Sequence, residues 1–244
     1  MKNQNGNAMI FLIVGLLVLL LMGFLFLTPW GEDILVELGI IRRYGFGGNE
    51  TSAISGLRTL CSVEAVWWGQ DPDRNGLKDY WTYDVSAFSR MFRADGTTQV
   101  NLIDRPFAKA DASPHPDDTF GKDYSQDWTG MTTTAKTGYY FRAMLWDESG
   151  HPYNQNEVGD KKVNPALLAH QKSGVKAANN EKFAFVAYPA IYALTGVRTY
   201  IVSQGGTIYA IDSGSDKDKI ILRWPGADPT LVSGPGGQNW HIAD

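Results

Sequence analysis

Residues 183–212 read FAFVAYPAIYALTGVRTYIVSQGGTIYAID, and three short runs inside them decide the fold. β-Branched and aromatic residues dominate 183–188, 197–203 and 207–211, and such side chains suit the pleated, half-buried surface of a strand. Only Gln204, Gly205 and Gly206 separate the last two runs, and a Gly-Gly centre supplies the positive φ that a tight hairpin needs. An antiparallel meander is therefore predicted. Residues 138–145, GYYFRAML, read as a further strand. Residues 220–224 are expected to add a fourth strand to the final third, before a Gly/Pro-rich tail that ends near Trp240.

Working outward, residues 51–68 place Ile54, Leu57, Cys61, Ala65 and Trp68 at spacings of three and four, with Thr51 or Ser52 positioned to cap the start. This spacing predicts an amphipathic helix that lays that face on the sheet, with Cys61 as a small core residue rather than a reactive thiol. The expected class is α+β, a helix packed on an antiparallel β-meander. Between helix and meander, residues 80–92 read as a short helix or irregular cover. Residues 110–136, dense in Asp, Ser, Thr, Pro and Gly, read as a long surface excursion. A short helix is predicted over 165–171.

Upstream lies AMIFLIVGLLVLLLMGFLFL, residues 8–27, without a charged or strongly polar side chain. At about 1.5 Å per residue such a run spans the ~30 Å hydrocarbon layer as a helix that satisfies its own backbone. A cleaved signal peptide has a shorter apolar core, about 7–15 residues, and a small-x-small site. Here Thr28, Pro29, Trp30 and Gly31 follow instead, so a retained transmembrane anchor is expected. Lys2 precedes the span, Glu32, Asp33 and Glu37 follow it, and Arg42 and Arg43 stand further on. The expected orientation is N-terminus inside, with the C-terminal domain on the periplasmic side of a bacterial inner membrane and Trp30 at the outer interface. Residues 44–50, YGFGGNE, read as a glycine hinge. The organisation expected is an anchor over 1–30, a juxtamembrane segment and hinge over 31–50, and one extracytoplasmic domain over 51–244.

A formal charge of −4 and the absence of a dense Lys/Arg cluster exclude a nucleic-acid surface. The single cysteine, Cys61, rules out an intramolecular disulfide. The lipid bilayer, through residues 8–27, and other membrane or envelope proteins are the expected partners.

Residues 71–79, DPDRNGLKD, carry the most specific chemical pattern. Asp71, Asp73, Asn75 and Asp79 present oxygen side chains at alternate positions, Gly76 permits a sharp turn at the sixth, and Leu77 offers its carbonyl. A hard cation such as Ca²⁺ takes six to eight oxygens in this way. Thr82 stands where an EF-hand has its bidentate Glu, and Asp84 is placed to close the site from further along. The competing reading is an Asp/Asn/Gly turn held by side chain to backbone hydrogen bonds. Asp104, Asp111, Asp117, Asp118 and Asp123 read as a solvated loop, as do Asp212, Asp216 and Asp218. His115, His151, His170 and His241 show no metal-ligand spacing. No Gly-rich phosphate loop, GxSxG, HExxH or CxxC occurs, so no enzyme is expected.

The order of these segments, an apolar N-terminal helix, AISGLRTLCSVEAVWW, DPDRNGLKDYWTYDV, KTGYYFRAM and the 183–212 stretch, resembles type IV pilin-like and type II secretion pseudopilin-like proteins, particularly a divergent bacterial branch. The resemblance covers most of residues 51–213 and implies a helix on an antiparallel sheet outside the inner membrane, with calcium held in a loop. Pilins carry a Gly before the cleavage site and a Glu fifth after it. With Gly6 as that glycine the fifth residue is Phe11, so the carboxylate that registers a filament subunit is missing. The expected function is accordingly a structural or accessory subunit of an envelope assembly on a permanent anchor. The alternatives are a processed pseudopilin or minor pilin, and an envelope hydrolase with a bound cation.

Overall fold

The structure, a computed structural model, describes residues 46–71, 77–89, 91–92, 99–111, 133–157, 176–214 and 221–243. All of these fall in one compact unit. Helix α1, Phe46–Gln70, is followed by strand β1, Tyr80–Trp81, a 3-10 turn over Ser86–Ser89, strands β2, Met91–Phe92, and β3, Gln99–Val100, and the short helix α2, Arg105–Lys109. Strands β4, Tyr139–Ala143, β5, Asn156–Glu157, β6, Lys176–Asn179, β7, Ala184–Pro189, β8, Arg198–Ser203, β9, Ile208–Asp212, and β10, His241–Ile242, complete the order, with 3-10 turns Pro229–Leu231 and Pro235–Gly237 ahead of β10. The domain is α+β with antiparallel sheets. Among the described residues no helix is long and apolar enough to cross a membrane; residues 8–27 lie outside them. The helix expected over 165–171 also lies outside them.

The main sheet runs β10-β9-β8-β7-β4, so β7 to β9 form the expected meander. The β8–β9 turn closes through Gly206 N–H on Ser203 O at 2.9 Å, and Gly206 adopts φ 74°, which is why glycine stands there. Alternation along the strands divides two cores. Phe185, Ala187, Tyr200, Val202, Ile208 and Ala210 join the cluster under α1. Ala184, Val186, Ile201 and Ile211 join a second cluster with Met144, Tyr153, Trp224 and Trp240 on the opposite face. The Gly/Pro-rich tail is thus a covering layer, since it delivers two buried tryptophans to that face.

Three expectations are corrected here. Residues 221–224 do not extend the meander. Leu222 O instead accepts from Leu145 N–H at 2.8 Å and Trp146 N–H at 3.1 Å, and β10 takes the sheet edge beside β9. The short apolar run follows the 144–147 segment because that pairing carries Trp224 into the second core. Second, the glycine stretch is not a hinge from Phe46 onward, because Gly47 and Gly48 lie within α1. Tertiary ties to the loop before β8 override weak helix propensity. Asn49 Nδ2 donates to Thr195 O at 2.9 Å, and Glu50 Oε1 accepts from Val197 N–H at 3.2 Å.

The third correction is the helix face. Its buried residues are Ala53, Gly56, Leu57, Leu60, Val63, Glu64 and Trp67. Of the expected face only Leu57 is buried; Ile54, Cys61 and Trp68 are half-buried and Ala65 is exposed. The true stripe, 53-57-60-64-67, lies about one residue back and contains an acid, which is why an all-apolar reading rotated the helix. Gly56 sets the approach of helix to sheet, because a Cβ there would lie 2.7 Å from the Phe141 ring. Alanine ordinarily favours a helix interior over glycine by about 0.5–1 kcal/mol. Gly56→Ala is nevertheless expected to lower stability by about 1–3 kcal/mol through overpacking, seen as a fall in thermal midpoint. A rise would show that the Phe141–Phe107 pair yields freely.

Around this sheet, β1 joins β6 and β5 in a three-stranded sheet. It places Tyr80 against Phe183, with ring centroids 4.9 Å apart. Ala110 O accepts from Phe141 N–H at 2.8 Å, so the chain after α2 covers the outer edge of β4.

Candidate functional site at the end of the helix

The last turns of α1 carry Glu64 and Trp67 inward, and β1 brings Trp81 against them. The two indoles meet with centroids 5.1 Å apart at 43°, and Phe88 stands edge-on to Trp67 at 6.4 Å. All three rings are fully buried. Glu64 sits among them at 0% exposure. Its Oε2 accepts the Trp81 backbone N–H at 3.0 Å, and its Oε1 has no partner among the described residues. A carboxyl group in this position holds its proton well above the usual range: burial is the main cause, the Trp81 N–H opposes it, and the nearby Asp79 charge adds to it. Asp79, 1% exposed, accepts the Trp67 indole N–H at 3.4 Å.

The segment after β1 uses its acids as caps. Asp84 Oδ1 accepts from Trp81 Nε1 at 3.1 Å and from Ala87 N–H at 3.0 Å. Asp111 Oδ2 accepts from Val85 N–H at 2.8 Å and Ser86 N–H at 2.9 Å. Two carboxylates therefore satisfy the opening N–H groups of the 3-10 turn, where negative charge is favoured. This corrects the reading of Asp111 as part of a solvated loop. Asp104 also has a structural task, accepting from Phe107 N–H at 2.8 Å as the cap of α2 and pairing with Lys136 at 2.7 Å. Asp212 accepts from the Tyr192 hydroxyl at 2.9 Å and Gly214 N–H at 3.0 Å. Asp117, Asp118, Asp123, Asp216 and Asp218, with His115 and His170, lie outside the described residues. Burial pushes the Cys61 thiol up to about 11, as suits a core-facing cysteine rather than a nucleophile.

Of the residues expected to hold calcium, Asp71 and Asp79 bracket the loop. Asp71 terminates α1 at φ 44°, its N–H on Trp67 O at 3.2 Å. Leu77 is 53% exposed, and Asp73 and Asn75 lie outside the described residues. Among the described residues no group of three or more His, Cys, Asp or Glu is arranged to hold a metal ion. What the structure does assemble is a desolvated acid pair, Glu64 and Asp79, at the loop's inner end. The sequence reading missed Glu64, although its place at the fourth position of a 4-3-4-3 stripe marks it as an inward-facing acid.

A helix laid across β7 and β8 of a five-stranded antiparallel sheet, with buried acids and indoles under its last turn, defines the class of domain. Residues 29–231 match the model of a family described as protein of unknown function (DUF2950), and the chain belongs to that family. Neither a curated protein nor a solved structure matches the chain.

Proposed function

We propose that the chain is a single-pass membrane protein whose pilin-like α+β domain lies outside the cytoplasmic membrane and serves as a structural or accessory subunit of a larger envelope assembly. The observation that carries this reading is the uncharged run at 8–27, long enough to span a bilayer, on the N-terminal side of the domain's first helix. The order of a long helix followed by an antiparallel meander supports the pilin-like assignment. The missing acid at position 11 favours a permanent anchor over a processed filament subunit. Purification from membranes in mild detergent is the test. Partner proteins are expected to co-purify in fixed ratio, and a monomer without partners under every extraction condition would overturn the assembly role.

Within the same reading, we propose that Ca²⁺ bound by Asp71, Asp73, Asn75, the Leu77 carbonyl and Asp79 fastens the end of α1 to the domain. Support comes from the sequence spacing and from Asp79, whose burial against Trp67 would couple the loop to the core. Binding to the folded state alone stabilises by about 2.7 kcal/mol at a free ion concentration 100 times the dissociation constant. The full chain in detergent is therefore expected to melt several degrees higher in calcium than in chelator, and Asp73→Ala is expected to abolish the difference. Equal melting of both proteins in both conditions would reduce the loop to a turn.

A further inference from the structure

On the sheet face opposite α1, a cleft of about 430 Å³ opens between the β8–β9 turn, the loop around Glu148 and the segment from Trp224 to Ala227. That volume falls within the range of small-molecule sites, roughly 300–1,000 Å³. Tyr153 reaches it from the second core with its ring 2% exposed, and its hydroxyl has no hydrogen-bond partner among the described residues. The indole N–H of Trp224, 7% exposed, likewise has no acceptor there. Both residues line the cleft, where water or the oxygen atoms of a ligand can accept from these donors. Tyr209 and Trp224 meet edge to face at 6.0 Å and 80°, giving the cleft an aromatic corner.

The lysine that lines this cleft is already paired with acids. Lys182 Nζ lies 2.8 Å from Glu148 Oε1 and 3.3 Å from Asp147 Oδ2, while Asp147 Oδ1 accepts from Ser149 and His151 N–H at 2.9 Å each. An anionic ligand finds no second cation among the described lining residues, and the other polar side chains there include Ser203, Gln204 and Thr207, which both donate and accept. Aromatic surface combined with donors and acceptors, and with the one lining lysine already paired to acids, suits an uncharged, hydroxyl-rich ring. We propose that this cleft binds a saccharide unit of a glycan chain. The proposal stands on the cleft alone and holds whether or not the chain is anchored in a membrane.

The test is calorimetric titration of the full chain, in a detergent without a sugar headgroup, with chitotetraose, cellotetraose and maltotetraose. At least one is expected to bind with a dissociation constant of about 1 mM or tighter. Tyr153→Phe, which removes only the hydroxyl, is expected to weaken that binding about tenfold with little change in thermal midpoint. Gln204→Ala, on the exposed turn, is expected to weaken it severalfold and serves as the second variant should Tyr153→Phe fold poorly. No heat from any of the three at millimolar concentration would overturn the proposal, as would binding that neither variant weakens.

Discussion

Trp81→Ala is expected to destabilise the domain by about 3–5 kcal/mol, the range for truncating a fully buried large aromatic side chain. Trp81 has 0% exposure and packs against Trp67 and Tyr83, at 5.1 and 6.1 Å between ring centroids. Its indole N–H bonds the Asp84 carbonyl at 3.0 Å and carboxylate at 3.1 Å, so truncation leaves a cavity beside an acid that has lost a donor. Trp81→Phe separates the two contributions. It keeps most of the ring volume and forfeits the N–H, and is expected to cost less than half as much. Chemical denaturation of the three proteins side by side gives the values, and a loss below about 1 kcal/mol for Trp81→Ala would show that this ring does not hold β1 to the helix.

The second large effect belongs to Glu64, measured in chelator so that no loop cation intervenes. Because burial raises the carboxyl pKa in the folded state above its ordinary 4.5, the folded chain retains a proton that the unfolded chain releases. Its stabilising contribution is whole below that ordinary value and is lost as pH rises from there toward the folded pKa, with a slope on the order of 1 kcal/mol per pH unit inside the window. Glu64→Gln keeps the shape and the acceptor for Trp81 N–H while removing the titration. The variant is expected to be more stable than wild type above about pH 6, with a gap that widens as pH rises and closes near pH 4. Asp79 and Cys61 interact electrostatically with Glu64, so the comparison is repeated in an Asp79→Asn background, where the slope is expected to persist because burial is its main cause. Parallel pH profiles for Glu64→Gln and wild type would contradict this environment.

The sheet was legible because its evidence is local. Runs of β-branched and aromatic residues over 184–189 and 198–203 and a Gly-Gly turn define strands and hairpin without knowledge of distant residues. The helix was legible in existence but not in rotation, since the stripe through Ala53, Leu57, Leu60, Glu64 and Trp67 is interrupted by an acid whose partner N–H lies 17 residues away. The burial of Asp111 depends on N–H groups of Val85 and Ser86 that no spacing pattern joins to it. Strand β10 is two residues long and takes its place from pairing with Tyr209 and Ala210 rather than from its own composition. The candidate site divides in the same manner. Asp79 announces itself by spacing, whereas Glu64 becomes visible only when the helix is turned against the sheet, and the cleft at Tyr153 gathers side chains from four separate stretches of sequence.

The central claim is that the apolar run remains attached and holds the domain at the membrane. Mass spectrometry of the native protein extracted from membranes, with sequencing of its N-terminal peptide, tests this most directly. The account predicts a membrane-fraction chain that still contains residues 8–27 and the residues before Asn7. A mature chain beginning at Asn7 would establish pilin-type processing, and a soluble chain beginning beyond residue 27 would remove the anchor altogether; either result contradicts the account.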